Sequence, residues 1–109
     1  MAYNKTLETR VESIVKNWKG VEKKKMFGGI CYLLKGNMGF GIYKDCLIVR
    51  MEKQMAEKKL TEGNAKPFDI TGRPMMGWVM VEEAGWKNQK ALTGWLEIGR
   101  RFALTLPEK

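Results

Sequence analysis

MFGGICYLLKGNMGFGIYKDCLIVRM, Met26 to Met51, is the stretch that decides the fold. Aliphatic, aromatic and β-branched residues fill it, and two short polar interruptions divide it into three runs. Gly36-Asn37 suits a two-residue hairpin loop, because both residues tolerate positive φ. Lys44-Asp45 is a weaker second turn. The pattern predicts a three-stranded antiparallel meander. With two-residue loops at both places, Cys31 falls opposite Ile42, and Ile42 opposite Leu47. Leu33, Phe40 and Val49 join that face by alternation. This face is apolar throughout and is the expected core. The other face carries Ile30, Tyr32, Leu34, Gly39, Gly41, Tyr43, Cys46, Ile48 and Arg50, with Tyr32 placed to lie across Gly41. It is unusually apolar for a wetted surface. It reads either as partly exposed sheet or as an interface covered by another chain, a homodimer included.

Helices flank the meander. Leu7, Val11, Ile14, Val15 and Trp18 form one apolar stripe at helical spacing, with Asn4 or Thr6 as cap and Gly20 as stop. At the other end Leu92, Trp95, Leu96, Gly99, Phe102, Ala103 and Leu106 form a second stripe, capped near Asn88 and stopped by Pro107. Gly94 and Gly99 are costly inside a helix, about 1 kcal/mol each against alanine, and can let it approach the sheet closely. MEKQMAEKKLTEGN (residues 51–64) reads as a short helix or turn. KPFDITGRPMMGWVMVEE (residues 66–83) reads as strand, bend and strand, with Pro67 where a missing N–H costs little. The bend packs Arg73, Met75, Met76 and Trp78 beside turn residues. It reads first as a corner and second as a partner surface, in which Arg73 presents a planar donor fork to a carboxylate or phosphate. Arg73 pairing internally with Asp69 is a third reading.

Composition narrows the function. The chain has 109 residues, a net charge of +8 and no histidine. That length fits one domain, residues 1–109. No apolar run approaches the roughly 20 residues of a membrane span, and the amino terminus lacks a signal core, so a cytoplasmic protein is expected. Without histidine, every His-based triad and His–metal site is excluded. Ser13 is the single serine, and Asp45 and Asp69 are the only aspartates. The glutamates show no carboxylate pair flagged by spacing. No catalytic residue, metal site or cofactor is expected, and only a cysteine or lysine nucleophile stays open. Gly39-Phe40-Gly41 lacks the third glycine and the following helix of a phosphate-binding loop. Cys31 and Cys46 read as buried, reduced thiols on opposite sheet faces. The positive charge favours an acidic partner, with Lys23, Lys24, Lys25, Arg100 and Arg101 as candidate contacts for weak, electrostatic nucleic-acid binding.

KKMFGGICYLLKGNM (residues 24–38) and PFDITGRPMMGWVMV (residues 67–81) resemble the two signature blocks of the TfoX (Sxy) amino-terminal domain family. The likeness runs through the closing tryptophan-bearing helix. It implies a two-layer α+β fold in which an antiparallel sheet, about five strands by the pattern above, packs against the amino- and carboxy-terminal helices. It also implies a role in regulation and protein interaction rather than catalysis. Long members of the family are transcription coactivators of competence genes that work with the cyclic-AMP receptor protein. They carry a second, carboxy-terminal domain without counterpart in these 109 residues. The family supplies no catalytic residues. Trp78, Tyr32 and Tyr43, with Arg73, Met75 and Met76, are the expected protein-facing residues.

Overall fold

A computed structural model describes residues 4–26, 29–63, 65–67 and 77–107. Its sheet has six antiparallel strands in the order β1-β2-β3-β4-β6-β5, so the architecture is α+β, with one strand more than expected. The elements run α1 (Lys5–Val15), β1 (Val21–Met26), β2 (Gly29–Leu34), β3 (Asn37–Tyr43), β4 (Cys46–Arg50), α2 (Lys53–Thr61), β5 (Lys66–Pro67), β6 (Trp78–Val81), α3 (Glu83–Trp86) and α4 (Gln89–Leu104). The bend between β5 and β6, with Asp69, Arg73, Met75 and Met76, lies outside the described residues.

Both flanking helices start at asparagine caps. The Asn4 side chain accepts from the Leu7 N–H, and Asn88 accepts from Lys90 and Ala91, supplying partners for N–H groups that have none inside the helix. Asn4 also ties α1 to the β3–β4 turn through the Lys44 carbonyl at 2.7 Å and the Asp45 carboxylate at 3.1 Å. Helix α1 stops three residues before Trp18, which packs edge-on against Phe40.

The additional strand is β1, whose VEKKKM sequence hides no apolar alternation. It forms one edge of the sheet, and β5 with Pro67 forms the other. Lysines and a proline at exposed edges discourage pairing with other chains, which gives Lys23 to Lys25 a structural role.

The register of β2 corrects the expected faces. The β2–β3 loop is Lys35-Gly36, both at positive φ, and Asn37 belongs to the strand opposite Leu34. Asn37 is buried, and its side-chain amide donates to the Pro107 carbonyl at 2.8 Å. Its polarity thus serves the helix end rather than the turn. A bulge follows: Leu33 faces Met38 but Tyr32 faces Phe40, so Gly39 is the inserted residue. Tyr32 and Ile30 therefore share the face of Phe40, Ile42, Leu47, Val49, Val79 and Val81. Leu34, from the same alternating set, is also buried. Cys31 and Leu33, expected in the core, move to the second face. The β3–β4 register, with Ile42 opposite Leu47, is as expected.

The core lies between this face and the helices. Leu7, Val11 and Val15 of α1 join Leu92, Leu96 and Ala103 of α4 in one buried cluster with Tyr32 and Phe40. Gly99 lets α4 settle onto β3, where a Cβ would meet the Gly39 carbonyl and the Phe40 ring. Gly94 is exposed, and among the described residues outside its own helix backbone nothing lies within 4 Å of a Cβ there.

A polar cluster closes the α1 side. Lys23 donates to Glu8 at 2.6 Å and lies 3.2 Å from Glu12, which accepts from the Tyr32 hydroxyl at 2.7 Å. The hydrogen bond from Lys23 holds the Glu8 carboxyl below its ordinary value of 4.5. A depressed carboxyl contributes stability above its unfolded pKa and loses it as pH falls through the folded pKa. Acid titration of wild type should therefore show a loss below about pH 4.5 that Glu8→Gln removes in part. The effect at this partly exposed pair is about 0.2–1 kcal/mol.

Candidate functional site

The residues proposed from sequence separate into three environments. Tyr32 is only 1% exposed and stacks on Phe40, with ring centres 5.2 Å apart. It is core, which corrects its assignment to a partner surface. Lys23 is drawn into the Glu8–Glu12 cluster, whereas Lys24 and Lys25 stay exposed along the β1 edge. Arg73, Met75 and Met76 fall outside the described residues.

Tyr43 is half-buried, with the Lys44 ammonium 5.4 Å from its ring centre. The pairings place it on the second sheet face with Cys31, Leu33, Met38, Gly41, Cys46, Ile48 and Met80, and with Arg50 and Trp78 at the strand ends. Ile48, Cys31 and Cys46 are buried on this face, while Leu33, Met38, Tyr43 and Met80 are half-exposed. The Met38 methyl occupies the notch over Gly41 that Tyr32 was expected to fill. The contacts of α1 and α4 go to the other face, α1 through Glu12 to Tyr32 and α4 through Gly99 to Gly39, and α2 joins α4 with Lys59 over the Trp95 ring.

The third environment joins residues that are distant in sequence. The Arg50 guanidinium lies 5.2 Å from the Trp78 ring centre and 5.3 Å from that of Phe102. Arg100 lies 5.0 Å over Trp18 and 3.3 Å from Glu97. Arg101 is exposed between them on α4. Of this group, Trp78, Arg100 and Arg101 were candidates from sequence. Arg50 and Phe102 were missed as binding residues because a strand end and a helix stripe give no sign that they meet.

Burial disfavours the thiolate form at both cysteines, pushing Cys31 and Cys46 up from 9.0, toward the protonated form. They share a face, contrary to expectation, yet strand β3 stands between them. Two interstrand spacings amount to about 9.5 Å, beyond the roughly 7 Å Cα limit for a disulfide. Thiol titration of air-exposed protein should count two free thiols, reacting slowly until denaturant is added; a single intramolecular bridge would contradict the register.

Among the described residues, no three metal-ligating side chains come together. No helix among them is long and apolar enough to cross a membrane. A search of curated proteins finds no match to this sequence. The family model described as the TfoX N-terminal domain matches residues 13–103, from the last turn of α1 to the last turn of α4. The match takes in both signature blocks, the whole sheet and the Gly39–Gly99 contact, and with it the chain belongs to the TfoX N-terminal domain family.

Proposed function

We propose that this chain is a non-enzymatic regulatory domain of the cytoplasm that acts by binding another protein, in the control of transcription. The observation that carries the reading is the second sheet face. Leu33, Met38, Tyr43 and Met80 are half-exposed there, while α1 and α4 contact the opposite face. A rigid sheet presents these side chains at fixed spacing, and methionines adapt their shape to a partner. Tyr43 adds an apolar ring with a polar tip, a combination favoured at interfaces. A second copy of the chain fits the same face through a two-fold pairing. The absence of histidine and the burial of both thiols, which disfavours the thiolate, support a binding role over a catalytic one.

The experiment is a transcript profile of cells lacking the chain, complemented with wild type or with Leu33→Glu. Wild type should restore the altered transcripts and Leu33→Glu, folded by circular dichroism, should not. Full rescue by Leu33→Glu, or an unchanged profile on deletion, would overturn the reading.

A further inference from the structure

At the end of the molecule where α4 finishes, three aromatic rings and three guanidinium groups form one belt. Gly99 faces the sheet, and each following residue turns about 100° around the helix. Arg100 therefore emerges on one flank, Arg101 on the outside and Phe102 on the other flank. Arg100 stacks over Trp18 on the first side. Phe102 meets Arg50, which also covers Trp78, on the second. The order across the helix is Trp18, Arg100, Arg101, Phe102, Arg50, Trp78.

More positive charge adjoins the belt. Lys16 follows the last residue of α1, and Lys19 lies just beyond Trp18. Val21 pairs with Leu34, which brings Lys19 beside the Lys35-Gly36 turn. The Asn37 bond to Pro107 fixes the end of α4 at the same place. Lys16, Lys19, Lys35 and Arg101 are all exposed, and none has an ion pair among the described residues. Bracing of the fold accounts for Arg50 and Arg100, whose flat faces cover rings. It does not account for a cluster of exposed cations beside them.

We infer that this belt binds single-stranded nucleic acid. Exposed cations attract the phosphates, and half-exposed Trp18, Phe102 and Trp78 offer ring surface to unstacked bases. A stacked guanidinium keeps N–H groups in its plane; Arg100 gives one to Glu97 at 3.3 Å and has others that can donate to phosphate oxygens. A duplex keeps its bases stacked inside and uses only the charge, and an acidic peptide uses only the charge as well. Arg50 and Trp78 continue the second face at its end by the same alternation, but Leu33, Met38, Tyr43 and Met80 take no part in the belt, and the substitutions at Arg101 and Phe102 on α4 test it apart from the regulatory reading.

The test is fluorescence anisotropy with a labelled single-stranded oligo-dT of about 12 nucleotides at low salt, alongside a duplex of equal length. The single strand should bind at least about tenfold more tightly than the duplex and quench tryptophan emission, because stacking contributes to one and not the other. With about four phosphates contacted, the log–log salt slope should be near −3. Arg101→Glu, on an exposed position, should weaken binding about tenfold or more, and Phe102→Ala about tenfold. Lys90→Glu, the same charge reversal at the opposite end of α4, should change affinity less than about twofold. No binding at low salt, equal affinity for the duplex, equal losses from Arg101→Glu and Lys90→Glu, or displacement by polyglutamate at matched charge would each overturn the inference.

Discussion

Gly99→Ala is expected to lower stability by about 2–3 kcal/mol, whereas Gly94→Ala in the same helix should raise it by about 1 kcal/mol. Both substitutions improve helix propensity equally, so the difference isolates packing. At residue 99 the added methyl meets the Gly39 carbonyl and comes 3.3 Å from the Phe40 ring. Seen from the sheet, a Cβ on Gly39 would stand 2.7 Å from the Gly99 carbonyl oxygen. Backbone faces backbone here, so no flexible side chain can move aside, and α4 must lift from β3. At residue 94 no atom of the described residues outside the adjacent helix backbone lies within 4 Å of the added methyl. Urea denaturation should show the two midpoints moving in opposite directions at similar slope. The melting temperature of Gly99→Ala should drop by about 10 °C or more. A Gly99→Ala protein as stable as wild type would mean that α4 does not sit on β3 through this glycine pair.

The second large contrast lies at neighbouring positions in β2. Tyr32→Ala should cost about 3–5 kcal/mol, in the range for a large buried aromatic, because it empties a site against Phe40 and removes the hydroxyl that Glu12 accepts from. Leu33→Ala should cost about 1 kcal/mol, since that side chain is half-exposed on the second face. A one-residue register slip exchanges the two positions between faces, so it would reverse the ranking. The pair therefore measures the register as well as the core.

That register marks the boundary of what the local sequence reveals. The amino- and carboxy-terminal helices, their asparagine caps, the β3–β4 turn and the apolar face of β3 and β4 follow from spacing and turn chemistry, whereas α3 gives no such signal. The β2 register does not. Asn37 is a natural turn residue, and its place in the strand depends on a bond to Pro107, 70 residues away. The bulge at Gly39 sits where α4 approaches through Gly99, a constraint from the opposite end of the chain. Together these shift the pairing at Cys31 by one residue, enough to exchange Cys31 and Leu33 for Tyr32 and Ile30.

The candidate surfaces divide in the same way. Tyr43 and Arg101 occupy places that alternation and helical spacing foresee. Lysines 23 to 25, candidate nucleic-acid contacts from sequence, form an edge strand without apolar alternation, and Lys23 is engaged by two glutamates of α1. The Trp78–Arg50–Phe102 contact joins β6, β4 and α4, and only the folded chain brings those elements together.

The protein-binding role of the second sheet face is tested most directly by photo-cross-linking in living cells. A photoreactive amino acid would replace Leu33 or Met80 on that face, or Gly94 on the outside of α4. Discrete adducts of higher mass should form from residues 33 and 80, and should be absent from residue 94. Equal yields at all three positions, or an adduct from residue 94 alone, would contradict the account.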